Sequence, residues 1–113
     1  AAMMEARRKR AMASLRDDPA AARDLLMAKR AELAAVLAAP EGEALAEGSL
    51  EQQALAQDVE RLRRLELQRV EAALQRVEGG EYGWCAACGE PISDARLASD
   101  PAVALCIACA EHA

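Results

Sequence analysis

Apolar residues recur along the middle of the chain at helical spacing. Over 19–39, Leu26, Leu33 and Leu37 fall at steps of seven and four, with Leu25 and Val36 widening the stripe, which predicts one amphipathic helix. Asp17-Asp18-Pro19 marks its start: Asp18 is a capping residue, and Pro19 takes the first helical position, where a missing N–H costs nothing. Pro40-Glu41-Gly42 ends it. A second start follows at Ser49, with Gln52 three residues on as its capping-box partner. The second helix is expected over about 50–78, with Leu55, Val59, Leu62, Val70, Leu74 and Val77 as a drifting apolar face and Gly79-Gly80 as the stop.

Two such helices joined by a turn of about ten residues predict an antiparallel helical hairpin over 17–80, a coiled coil with its tip at about 40–49. At 1.5 Å per residue its arms reach about 30 Å. Each stripe is used up by the partner helix, so a monomer is expected. Residues 1–16 contain Met3, Met4, Met12 and Leu15 without Gly or Pro, which fits either a short third helix or a frayed end.

Composition sharpens this picture. Hydrophobic residues are 53% of the 113, yet Phe is absent and there is one Tyr and one Trp; much of the apolar content is alanine, a good helix former that fills little core. A chain this short is expected to need a staple. No stretch approaches the roughly 20 apolar residues of a membrane span, so no membrane partner is expected. Residues 1–16 carry five basic groups against Glu5, net +4, while residues 17–113 carry nine basic and eighteen acidic groups, net −9. An acidic body argues against phosphate-backbone binding, since nucleic-acid domains usually show a basic face, and no sequence-specific nucleic-acid partner is expected. The run Arg7-Arg8-Lys9-Arg10 reads as a solvated end or as a contact for an acidic partner.

The staple is visible in the last third. Cys85-x2-Cys88 and Cys106-x2-Cys109, separated by 17 residues, have the spacing of a four-thiolate zinc site, and the chain has no other cysteine. Each Cys-x2-Cys turn brings two sulfurs to one ion, and a full set of four leaves no open position, so one structural Zn2+ is expected. Disulfides suit secreted mini-proteins, but the N-terminal stretch is no apolar signal segment, and a reducing cytoplasm is the expected setting. No βαβ pattern surrounds either pair, which disfavours thioredoxin-like chemistry. His112, three residues after Cys109, reads as solvated. Tyr82 and Trp84 are expected to pack as core beside Cys85. Residues 106–112 are expected to form a short closing helix.

The segment Glu81-Tyr82-Gly83-Trp84-Cys85-Ala86-Ala87-Cys88-Gly89-Glu90-Pro91-Ile92, with Ala95-Arg96-Leu97, Asp100-Pro101 and Cys106-Ile107-Ala108-Cys109, resembles the DksA/TraR family of bacterial transcription regulators. A helix carrying Val-Glu-Ala-Ala-Leu and a short glycine link precede it, as in that family. The resemblance implies a mainly α fold, with the antiparallel hairpin followed by a small four-cysteine zinc finger over 81–113. It also implies a function: the hairpin enters the secondary channel of RNA polymerase, between its β and β′ subunits, so that an acidic tip approaches the catalytic centre.

Longer family members carry an Asp-x-x-Asp-x-Ala tip. Here the tip positions are Glu41, Glu43 and Glu47, and no aspartate lies between Asp24 and Asp58. In longer relatives the alarmone ppGpp is bound by basic residues near the finger, but this chain has no Lys or Arg after Arg96, so ppGpp binding is not expected. Two other classes of function fit the same residues: a zinc-thiolate redox sensor, and a protein–protein adaptor whose finger caps the hairpin. Catalysis is not expected, because a coordinatively full metal and a single histidine leave no nucleophile–base pair.

Overall fold

The computed structural model describes residues 14–38 and 49–112. The tip residues Glu41, Glu43 and Glu47, and residues 1–13 of the basic segment, lie outside the described residues. Four helices follow in order: α1 (Pro19–Ala38), α2 (Leu50–Glu78), α3 (Asp94–Ser99) and α4 (Ile107–Glu111).

The helix signals operate as the sequence predicts. Asp18 Oδ1 accepts from the Ala21 N–H at 3.1 Å at the head of α1. At the head of α2, Ser49 Oγ accepts from the Gln52 N–H at 3.2 Å while Gln52 Oε1 accepts from the Ser49 N–H at 3.1 Å, a reciprocal capping box. At the far end the Gly79 N–H donates to the Gln75 carbonyl at 2.9 Å, and Gly80, at φ 75°, turns the chain out of the helix.

α1 and α2 pack together as the hairpin. Leu26 is buried with Val70, and one turn further along α1 Lys29 meets Glu66, one turn earlier in α2, at 3.6 Å. Advancing along one helix is retreating along the other, so the pair is antiparallel.

The core lies at the base of the hairpin. Ala22 and Leu26 of α1 and Val70, Ala73 and Leu74 of α2 form one cluster with Tyr82, Cys85, Ile92, Leu97, Ala102 and Val103. The finger therefore completes the hairpin's core and is not a separate appendage.

Further out, the seam differs from the expected apolar face. On α2 the partly buried positions Ala56, Glu60, Arg63 and Leu67 lead at steps of four, three and four toward buried Val70. Leu55 and Leu62, expected on that face, are each 65% exposed, and Val59 is 37% exposed. The base fixes the rotation of α2, and continuing the three-four spacing outward from Val70 and Leu74 carries Ala56 and Leu67 inward and the leucines out. The premise that each stripe is consumed by its partner helix thus fails for α2.

Residues 14–17 form a turn, not a helix: the Asp17 N–H donates to the Ser14 carbonyl at 2.9 Å, and Ser14 is buried. α3 was not anticipated from the sequence. It is capped by Ser93, whose Oγ accepts from the Arg96 N–H at 3.2 Å, and it buries Leu97. Among the described residues no helix is long and apolar enough to cross a membrane.

Candidate metal centre

The first cysteine pair sits on a tight knuckle. The Cys85 N–H donates to the Glu90 carbonyl at 2.8 Å, the Gly89 N–H returns to the Cys85 carbonyl at 2.9 Å, and an isolated antiparallel bridge joins Trp84 to Pro91. Gly89, at φ 78°, makes the return possible. The second pair is set by α4: Cys106 is its N-cap, with Sγ accepting from the Cys109 N–H at 3.5 Å. A bond from the Ala86 N–H to the Ala104 carbonyl at 2.8 Å fastens one half of the finger to the other.

These two turns bring the four sulfurs of Cys85, Cys88, Cys106 and Cys109 within 4.8 Å of one another. Cys88 Sγ and Cys106 Sγ are 3.8 Å apart. Two thiolates on a tetrahedral zinc, each at about 2.3 Å, are separated by about 3.8 Å, so this pair already stands at the separation of two zinc ligands. None of the four is in a disulfide.

The electrostatics agree. Backbone N–H groups of Cys106, Cys88 and Ala87 pull the Cys85 thiol down to about 6, which favours its thiolate. The neighbouring sulfurs of Cys106, Cys85 and Cys88 push Cys109 up to about 12, because crowded thiols resist sharing negative charge. Four sulfurs at this spacing ionise together only around a cation. His112 is exposed and is not part of the cluster.

Arginines bind the centre to the hairpin. Arg69 of α2 reaches Asp100 of the finger and Glu66 of its own helix, both at 2.6 Å, and the contact with Asp100 raises its pKa further. Arg76 donates to the carbonyls of Ala102 and Val103, each at 3.3 Å, and burial lowers its pKa. Arg96 Nε donates to the Leu105 carbonyl at 2.9 Å. Thus Arg69 and Arg76, the basic residues remaining on α2 near the finger, are engaged internally.

Arg16 is a contributor that the sequence reading grouped with the solvated N-terminus. Its guanidinium donates to the Ile92 carbonyl at 2.6 Å, pairs with Asp94 at 3.4 Å and lies 5.6 Å from the centroid of the Trp84 ring. The two aromatic residues consequently part company. Tyr82 is core, as expected, with its hydroxyl donating to the Pro101 carbonyl at 2.8 Å, whereas Trp84 is 45% exposed beneath Arg16.

Residues 80–112 match the family of the prokaryotic dksA/traR C4-type zinc finger. A solved structure of transcription factor DksA2 from Pseudomonas aeruginosa is similar over most of both chains, covering 89% of this one and 84% of that one at 32% identity and a TM-score of 0.69. The chain belongs to the DksA/TraR family. Its cofactor is one zinc ion, the metal of the family's four-cysteine finger, for which the four thiols are positioned. The RNA polymerase-binding transcription factor DksA of Caulobacter vibrioides is 40% identical over 46 residues, 41% of this chain and 32% of that protein, so the match spans about a third of the curated relative. The structure of the RNA polymerase binding protein and transcriptional regulator Dks from Chlamydia trachomatis shares the fold at 21% identity, with a TM-score of 0.55 and coverage of 85% and 86% of the two chains.

Proposed function

We propose that this protein regulates transcription by binding RNA polymerase directly, without sequence-specific DNA contacts. Cys85, Cys88, Cys106 and Cys109 hold a structural zinc, and the finger serves as the mount for the hairpin. The hairpin enters the secondary channel between the β and β′ subunits, and Glu41, Glu43 and Glu47 act at its tip. The cytoplasm is the setting this requires, and the role is not enzymatic.

The observation that carries this reading is the joint likeness of hairpin and finger to DksA2 across 84% of that chain, rather than the finger alone. Physical support comes from the mounting. A probe transmits force and position only if its base is stiff, and here a shared core and the arginine bridges tie α2 to the finger. A net −9 over residues 17–113 suits a basic, protein-lined channel and disfavours a phosphate backbone.

Binding of the zinc-loaded chain to purified core RNA polymerase tests the reading, by co-elution and by competition with a known secondary-channel factor. Competitive binding is expected, and a variant with Glu41, Glu43 and Glu47 changed to Ala is expected to bind while losing the effect on promoter-complex lifetime. Failure of the parent to bind at micromolar concentrations would overturn the proposal.

A further inference from the structure

Four charged side chains form one continuous line from α1 to the finger. Lys29 Nζ of α1 stands 3.6 Å from Glu66 Oε1 of α2, Glu66 Oε2 stands 2.6 Å from Arg69 Nη1, and Arg69 Nη2 stands 2.6 Å from Asp100 Oδ2 of the finger. Asp100 Oδ1 then accepts from the Ala102 N–H at 3.2 Å. Each link uses a different atom, so all of them are made at once.

The line starts where apolar packing stops. Among the described residues Leu26 and Val70 are the outermost buried residues of the hairpin, and Lys29 and Glu66 stand one turn beyond them, with Glu60 and Arg63 further out along the seam. Its other end holds the turn between α3 and the second cysteine pair, where Ala102 and Val103 enter the core. Isolated exposed ion pairs contribute little. Here the side chains of Glu66 and Asp100 are only 26% and 35% exposed, and each bonds a separate nitrogen of one guanidinium. Neither carboxylate therefore moves without disturbing the cation it shares with the other.

We propose that Lys29, Glu66, Arg69 and Asp100 act as one coupled strut, which ties the direction of the hairpin's outer arms to the position of the 100–103 turn. A partner that displaces either end is then felt at the other, and the coupling is reciprocal. Lys29 and Asp100 are positioning residues in this device: they do not pair with each other, and Glu66 and Arg69 stand between them. The inference does not rest on polymerase binding and is tested on the chain alone.

The test is the proton–nitrogen NMR spectrum of the zinc-loaded full chain, read at the Ala102 amide, which donates to the finger end of the line. Lys29→Met keeps most of the apolar stem and removes the charge at the opposite end. It is expected to shift the Ala102 resonance, and to leave that resonance in place once Glu66→Ala has broken the line. Arg64→Met removes a cation that pairs with Glu60 at 2.8 Å, outside the line, and is expected to leave Ala102 unmoved. In urea unfolding, Lys29→Met and Asp100→Asn together are expected to lower the midpoint by less than the sum of their separate effects, and by that sum in the Glu66→Ala chain. An Ala102 resonance that ignores Lys29→Met would overturn the proposal. A shift of the same size in the Glu66→Ala chain would assign the coupling to the shared core and overturn it too, as would additive midpoint losses in the parent.

Discussion

Gly83 lies so close to Arg16 that a Cβ built on it would stand 2.5 Å from the Arg16 Cβ, inside any real carbon–carbon contact. Gly83 also has φ 89°, a conformation that residues with a Cβ rarely adopt. Two independent constraints meet at this position: the turn into the knuckle, and the N-terminal turn lying over it. Gly83→Ala is therefore expected to cost more than backbone strain alone, which is about 1–3 kcal/mol. Thermal melting of the zinc-loaded variant checks this, and a melting temperature equal to that of the parent would show that the N-terminal turn is not seated on the finger.

Arg16 itself should discriminate between charge and shape. Its fork donates to the Ile92 carbonyl and to Asp94 while its plane covers Trp84. A lysine offers a point charge without the fork, so Arg16→Lys is expected to recover only part of what Arg16→Ala loses. Hydrogen bonds from charged groups are worth about 1.5–3 kcal/mol, which bounds the loss in Arg16→Ala. Trp84 emission reports locally: removing the guanidinium exposes the ring, and a red shift is expected in Arg16→Ala. An unchanged spectrum with unchanged stability would refute the contact.

Tyr82 gives the fold an alkaline limit. Burial raises its pKa to about 12, and its hydroxyl donates to the Pro101 carbonyl. The folded state thus prefers the neutral phenol. The resulting stability is fully present below the unfolded value of about 10 and is lost as pH rises through 12. Absorbance of tyrosinate, followed with helicity as pH is raised, should show ionisation and unfolding together. Tyr82→Phe is expected to lower stability by about 1 kcal/mol near neutral pH through the lost hydrogen bond, and to abolish this alkaline dependence.

Local signals in the sequence were sufficient for the helix ends and the metal centre. The capping box at Ser49 and Gln52, the stop at Gly79-Gly80 and the Cys-x2-Cys pairs each act over a few residues, so spacing alone reveals them. The rotation of α2 was hidden because Leu55 and Leu62 form as good an apolar line as Ala56 and Leu67, and the choice is made at the base by Val70, Leu74 and the finger. α3 was masked by its length, six residues between Ser93 and Asp100, too few for periodicity to register. Arg16 was illegible for a different reason: its partner Ile92 is 76 residues away, and nothing near Arg16 distinguishes it from the basic run before it.

The shared core also bears on what zinc removal does. From the sequence, hairpin and finger read as successive parts, and Cys88→Ser is expected to disorder the finger while much of the hairpin's helicity survives. The structure argues for coupled loss. Cys85, Ile92 and Leu97 from the finger lie in one cluster with Leu26, Val70 and Leu74 from the hairpin, while the outer seam of α2 contains Glu60 and Arg63. Isolated helices are marginal without a packed apolar face, and for this hairpin the face lies where the finger covers it. Structural zinc sites contribute directly to folding free energy. Chelation, or Cys88→Ser, is therefore expected to remove zinc and to lower helicity well beyond the 11 residues of α3 and α4, with amides around Val70 and Leu74 losing hydrogen-exchange protection alongside those of the finger. Far-ultraviolet circular dichroism followed during zinc titration decides between the two outcomes. A single transition that regains helicity and zinc together supports the shared core, whereas helicity that stays near the zinc-loaded value after chelation would mean that α1 and α2 hold each other without the finger.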